Sequence, residues 1–139
     1  MRDVTKEKRP LLTADTIIRR RDGSVVLVKR LSPPFRDFYP IPGGFVEYGE
    51  TIEEAAVREA KEETGLDVKI ERLVGVYSDP DRDPREHIIT VAYLAEEIGG
   101  RLRPSSDARE IKAFRKIPSK PAFDHRKILH DALKLANTK

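Results

Sequence analysis

Seven acids crowd into residues 44–66, GFVEYGETIEEAAVREAKEETGL, and three of them stand where a helix would place apolar residues. Thr51, with Glu54 three positions on, is a capping box: the hydroxyl accepts from the Glu54 amide while the carboxylate reaches back to the Thr51 amide. A helix is predicted to start there and to end at Gly65, which takes the left-handed conformation without steric penalty. Wound at about 100° per residue, the apolar stripe Ile52, Ala55, Ala56 runs on into Glu59, Glu62 and Glu63, while Glu53, Glu54 and Lys61 point the other way. Like charges at these spacings repel, and a carboxylate taken out of water costs several kcal/mol unless compensated. A bound cation is the compensation such a face calls for; a solvated acidic helix is the alternative. Upstream, Gly43-Gly44 after Pro42 reads as a tight loop whose backbone can approach a ligand closely, with Glu50 and Arg58 at fixed offsets around it.

This stretch resembles the Nudix box, G-x5-E-x7-R-E-U-x-E-E-x-G-U with U aliphatic, at Gly44, Glu50, Arg58, Glu59, Ala60, Glu62, Glu63, Gly65 and Leu66. Ala60 departs slightly, being smaller than the usual Leu, Ile or Val. The resemblance implies hydrolysis of a phosphoanhydride with Mg²⁺ or Mn²⁺, ions that hard oxygen ligands favour. It makes Glu59 and Glu63 direct metal ligands and Glu62 a direct or water-mediated one, with the Gly44 carbonyl completing the set and Arg58 and Glu50 bracing it. Family members often recruit a later acid as ligand or general base; SSDARE offers Asp107 and Glu110, and the residues do not choose between them. Lys29 resembles, by position, the basic residue that contacts substrate phosphate in some Nudix enzymes.

The segment YSDPDRDPRE resembles the corresponding part of ADP-ribose pyrophosphatases, which carry a proline 15 positions past the last box glycine, as Pro80 follows Gly65. Stiffened by Pro80 and Pro84, it is expected to wall the terminal sugar, with Arg82 or Arg85 reaching phosphate or ribose oxygens. The implied reaction splits ADP-ribose into AMP and ribose 5-phosphate. A MutT-like nucleoside triphosphate pyrophosphatase acting on oxidised nucleotides is the second reading, and a non-catalytic ADP-ribose sensor the third. ADP-ribose pyrophosphatases are commonly homodimers, so a homodimer is implied as well.

Charge agrees with a cation site and an anionic substrate. The box has seven acids and two bases, a net of −5, which leaves +8 for the rest of a chain whose total is +3. A negative pocket in a positive body suits a small-molecule nucleotide held through a metal. No aromatic-interleaved basic patch or helix-turn-helix pattern is present, so no nucleic-acid partner is expected. The chain has no cysteine, which excludes disulfides, thiolate nucleophiles and thiolate metal sites. MRDVTKEKRP lacks the apolar core of a signal peptide, and no apolar run approaches the roughly 20 residues needed to span a bilayer. A cytoplasmic protein without a membrane partner is expected.

The elements that must position these residues are legible in the periodicity. Residues 11–20 read as a strand, Asp22-Gly23 as a hairpin turn and 24–30 as a second strand, before the proline-rich loop LSPPFRDFYP. After the box, 68–77 and 87–96 read as strands; the second is apolar on both faces, as in a sheet covered on both sides. DPDRDPRE between them is expected to be an exposed loop. Residues 111–115 read as a last short strand, and a helix is predicted from Phe123, with Ile128, Leu129, Ala132, Leu133, Leu135 and Ala136 on one side. His125 and His130 fall on different faces of that helix and do not form a metal-binding pair, and His87 reads as a strand-edge residue. Strands on either side of one helix plus a closing helix give an α/β fold, an α/β/α sandwich around a mixed sheet, in one domain over 1–139. The Nudix resemblance implies the same architecture.

Overall fold

Alternation along β1 (Leu11–Arg19) sends successive side chains to opposite faces of a sheet, and its five central residues, Ala14 to Ile18, are all buried. The computed structural model describes residues 7–31, 36–103, 109–115 and 125–136. Within these, β1 is followed by β2 (Val25–Arg30), β3 (Gly43–Phe45), α1 (Ile52–Thr64), β4 (Leu66–Tyr77), β5 (Ile88–Gly100), β6 (Arg109–Phe114) and α2 (His125–Ala136). The strand order is β4-β5-β1-β2-β6, with β3 pairing β1. The sheet is mixed: β1 and β5 run parallel, from Leu11↔Ile88 to Arg19↔Glu96, and the other pairs are antiparallel.

Each helix covers one face. Ile17, Leu27, Ala92 and Leu94 pack with Ile128, Leu129 and Ala132 of α2. Across the sheet, Ala14 and Val91 pack with Ala55 and Ala56 of α1, and Ile18, Val26 and Ala95 with its Ala60. Each buried Ile, Leu or Val contributes about 1.5–3 kcal/mol of transfer free energy, which is why β5 needs both helices to hide its two apolar rows. The expected sandwich and mixed sheet are thus present. Leu133 lies outside the α2 stripe, 36% exposed.

The hairpin turn places Gly23 at φ 85° and ties the Ser24 amide to the Asp22 carboxylate at 2.9 Å. β1 and β2 pair at Arg19↔Val25. Further along they part, and residues 38–42 enter between them. Val28 and Arg30 donate their amides to the Pro40 and Phe38 carbonyls at 3.0 Å each, and Thr16 donates to Pro42 at 2.9 Å. Pro40 and Pro42 have no N–H to offer, and both serve as acceptors. This wedge delivers the chain to the glycines at the start of the box.

Four expectations are corrected. Gly43-Gly44, read as a loop, is strand: β3 pairs β1 at Thr13↔Phe45, Ala14↔Gly44 and Asp15↔Gly43, and glycine is needed because of how close its neighbours stand. β5 runs to Gly100, past the predicted end at 96, because its antiparallel pairing with β4 continues to Leu66↔Gly100. Glu53 is not simply solvated; it accepts from the Tyr93 hydroxyl at 3.0 Å. Burial, together with that carboxylate, pushes the Tyr93 phenol up to about 12. The loop DPDRDPRE is exposed except at Arg82, which is half-buried, and Asp83, which is 6% exposed.

A hydrogen bond ties α2 to β4. The Tyr77 hydroxyl donates to Asp131 Oδ2 at 2.7 Å, and Lys127 Nζ lies 3.1 Å from the same oxygen. Tyr77 first, then Lys127, hold the Asp131 carboxyl below its ordinary value. That stabilisation is present above the unfolded-state carboxyl pKa of about 3.9 and is lost as the pH falls through the lowered folded value. Tyr77→Phe is expected to cost about 1 kcal/mol at neutral pH, with the difference from wild type shrinking below about pH 4. Urea unfolding across that range checks it; a difference independent of pH would show that the ionised carboxylate is not the partner.

Candidate active site

Helix α1 is set in place at both ends before it presents any chemistry. Thr51 is extended, its Oγ1 accepts from the Glu54 amide at 3.1 Å, and Glu54 Oε1 accepts from the Thr51 amide at 3.1 Å. Gly65 closes the helix at φ 81°, its amide donating to the Lys61 carbonyl at 2.9 Å. The predicted capping box and glycine stop are both formed, so the rotation of the acidic face is fixed.

That face carries two inward carboxylates rather than three. Glu59 and Glu63 line a cavity of about 330 Å³, together with Gly43, Gly44 and Phe45 of β3. The Glu62 side chain is 57% exposed and accepts from Arg58 Nη1 at 3.2 Å. The reason is angular: Ala56, Ala60 and Glu63 fall on the side packed against the sheet, and Glu62, about 100° from Glu63, turns outward. Gly44 is a true close approach, since a Cβ there would lie 2.4–2.6 Å from the Glu59 carboxylate atoms.

Arg58 organises the acids. Its Nε and Nη2 clasp Glu50 at 3.0 and 2.6 Å, its Nη1 donates to Glu59 at 2.8 Å, and its Nη2 also donates to the Phe45 carbonyl at 3.1 Å. Glu50 accepts in addition from the Glu47 amide at 2.8 Å. The Arg58 guanidinium, then that amide, hold the Glu50 carboxyl down to about 2. Glu50 in turn, and then Glu59, raise Arg58 above its ordinary value. Glu50 and Arg58 therefore remain an ion pair throughout the neutral range, which keeps Glu59 oriented.

The donor set suits a hard divalent ion. Glu59 and Glu63 line the cavity, and the Glu59 carboxylate faces the Gly44 backbone, which no Cβ screens. Among the described residues no three His, Cys, Asp or Glu side chains converge as a complete cage. An incomplete oxygen set of this kind fits Mg²⁺-type coordination, which keeps waters and takes phosphate oxygens for its remaining positions.

The other predicted residues divide. Arg82 and Arg85 line the cavity. Arg82 Nη1 donates to the Ile88 carbonyl and to Thr90 Oγ1, each at 3.0 Å, and Arg85 pairs with the buried Asp83 at 2.9 Å. Pro80 is exposed and stands outside the cavity lining. Lys29 does not line it either; it faces Asp37 at 3.8 Å, and its neighbour Arg30 takes the place at the wall. Glu110 is exposed on β6, in register with Lys29 and outside the lining, while Asp107 lies outside the described residues.

Asp15 and His125 were not singled out by spacing, yet both are buried and line the cavity. His125 Nδ1 accepts from the Ile41 amide at 2.9 Å, so the ring carries its proton on Nε2, which lies 3.5 Å from Asp15 Oδ2. Gly43 leaves room for Asp15: a Cβ there would lie 2.0 Å from Asp15 Oδ1. An acid in the middle of the otherwise uncharged run LLTADTII was the available signal for Asp15. His125 offered none, because its partners are 84 and 110 positions away in sequence.

The chain is similar to several known proteins. An ADP-ribose pyrophosphatase from Methanocaldococcus jannaschii is 48% identical over 130 residues, covering 92% of this chain and 76% of that protein. The crystal structure of a MutT/nudix family protein from Enterococcus faecalis superposes with a TM-score of 0.82 at 28% identity, covering 99% of this chain and 66% of that one. A bifunctional NMN adenylyltransferase/ADP ribose pyrophosphatase from Francisella tularensis, crystallised with AMP and a manganese ion, gives a TM-score of 0.80 at 25% identity over 95% of this chain and 43% of that one. The NUDIX domain family matches residues 9–134. With its glycine-cradled carboxylates on a capped helix and that match across nearly its whole length, the chain belongs to the NUDIX domain family.

Proposed function

We propose that this chain is a divalent-metal-dependent pyrophosphohydrolase that splits ADP-ribose into AMP and ribose 5-phosphate, with Mg²⁺ or Mn²⁺ as the ion. The observation that carries the reading is the division of one cavity: Glu59, Glu63 and Gly44 contribute its acidic side, and Arg30, Arg82 and Arg85 also line it. A diphosphate bridging two ribose-bearing groups needs both, a cation under its oxygens and guanidinium groups beside them.

When bound, the ion lowers the pKa of a coordinated water and neutralises charge developing on the phosphates. Glu59 and Glu63, with the Gly44 carbonyl, are the residues that would hold it, and Glu62 would do so through water from its outward position. Arg58 and Glu50 keep Glu59 in place, so the carboxylates need no reorganisation during the reaction. Water oxygen bonds to one phosphorus as the bridging oxygen leaves with the other, and a carboxylate takes the proton. Asp107 is the late-loop candidate for that proton; Glu110 is less suited, given its place on β6 outside the cavity lining. Arg82, Arg85 and Arg30 orient the diphosphate, the role first expected of Lys29. Pro80 acts through the shape of its loop.

We infer a single catalytic domain over residues 1–139 acting in the cytoplasm on a small nucleotide, without nucleic acid or membrane. A homodimer is in keeping with Leu73 and Val76, 50% and 57% exposed on the edge strand β4. No helix among the described residues is long and apolar enough to cross a membrane.

Hydrolysis of a nucleotide panel with Mg²⁺ tests the substrate. ADP-ribose is expected to show a higher kcat/KM than any nucleoside triphosphate or dinucleoside polyphosphate. Preference for a triphosphate such as 8-oxo-dGTP by tenfold or more, about 1.4 kcal/mol of discrimination, would replace the reading with an oxidised-nucleotide pyrophosphatase. Binding of ADP-ribose without release of AMP would identify a sensor.

A further inference from the structure

We propose that Phe45 is the platform on which the substrate's base stacks, an inference that rests on the nucleoside-diphosphate reading above. Phe45 ends β3 in register with Thr13, Thr13 is in register with Thr90 of β5, and Thr90 with Tyr77 of β4. Residues in register share a face, so these four side chains form one row across the sheet. The absent Cβ of Gly44 points at Glu59, toward α1. Phe45, one residue on, therefore projects from the opposite face, the one that carries Thr13, Asp15 and Ile17 beneath α2.

Its backbone is held on both sides. The Phe45 carbonyl accepts from Arg58 at 3.1 Å and the next amide, Val46, donates to the Leu12 carbonyl at 3.0 Å. Phe45 lines the cavity and is 52% exposed, so its apolar side chain remains open to a ligand.

The polar groups in the same row are already committed. Arg82 Nη1 donates to Thr90 Oγ1 at 3.0 Å, Thr90 Oγ1 and Thr13 Oγ1 share a hydrogen bond at 2.8 Å, and Thr13 Oγ1 lies 3.5 Å from the Ile89 carbonyl. Both hydroxyls thus already have protein partners. What this part of the wall presents is a flat apolar ring beside a cavity lined by Glu59, Glu63, Arg30 and Arg85. The complementary ligand has a flat apolar face and a polyanionic tail, which is a nucleobase carried on a diphosphate. Because stacking uses the face of the base and not its edge, the platform accepts different bases with little discrimination.

Calorimetric titration of AMP and of ribose 5-phosphate into wild type, Phe45→Ala and Phe45→Trp separates the base from the phosphate sugar. Phe45→Ala is expected to weaken AMP roughly tenfold while ribose 5-phosphate stays within about twofold, and Phe45→Trp to retain AMP. In turnover, Phe45→Ala raises KM for ADP-ribose roughly tenfold but leaves KM for its abasic analogue, with hydrogen in place of adenine, within about twofold. Equal losses for both members of either pair, or no loss of AMP binding, would overturn the proposal. Should wild type hydrolyse no ADP-ribose, the functional reading fails, while the AMP and ribose 5-phosphate titrations still decide the role of Phe45.

Discussion

Glu63→Gln is expected to lower kcat by roughly three orders of magnitude, about 4 kcal/mol, while leaving the thermal midpoint close to wild type. Fold and turnover depend on different properties of the Glu63 side chain. Glutamine is nearly isosteric, and the helix is held by its capping box, its glycine stop and the buried Ala55, Ala56 and Ala60, none of which involves Glu63. The carboxylate's contribution is charge at the cavity wall beside Glu59, and that charge is what a hard divalent ion binds. Single-turnover hydrolysis of ADP-ribose together with a melting curve measures both. Wild-type turnover by a folded Glu63→Gln protein would remove Glu63 from the metal site and leave Glu59 with Glu62 as the remaining carboxylates.

Gly44→Ala should separate activity from stability in the same direction, whereas Gly43→Ala should not. At Gly44 the added Cβ meets the carboxylate of Glu59 at 2.4–2.6 Å, the far end of a side chain that can swing away. The fold survives that movement, but Glu59 leaves its contact with Arg58 and its place facing the glycine backbone. The expected loss in kcat is about 100-fold or more, with little change in Tm. At Gly43 the Cβ lies 2.6 Å from the Ala14 backbone carbonyl as well as 2.0 Å from Asp15, and backbone paired in the sheet cannot step aside. That variant is expected to lose about 1–3 kcal/mol of stability. Comparable destabilisation of the two variants in urea, with equal loss of activity, would mean that Gly44 serves packing alone.

Much of this molecule follows from local rules, which is why it was legible along the chain. The start and stop of α1 depend on Thr51, Glu54 and Gly65, all within one helix length. The two apolar rows of β5 follow from strict alternation, and the hairpin turn from Asp22-Gly23, again local patterns. The identity of the acidic residues came from spacing, and spacing on a capped helix already fixes which carboxylates lie within a turn of one another.

Tertiary structure decided what depends on contacts between distant segments. That Glu62 faces outward while Glu63 faces the cavity follows from where the sheet lies beneath α1, which a stripe drawn on an isolated helix leaves open by about 100°. The strand character of Gly43-Gly44 required β1 as a partner, since a glycine pair has no side chains to announce a strand. Arg30 rather than Lys29 lines the wall: neighbours on β2 point to opposite faces, and sequence position alone does not say which of the two meets the cavity. His125 reaches Ile41 and Asp15 only because α2 packs back over the sheet. The sequence by itself determined the kinds of chemical groups and their order along each element; packing of the elements determined which groups share a cavity, because burial and hydrogen-bond geometry act between residues close in space, however distant they are in the chain.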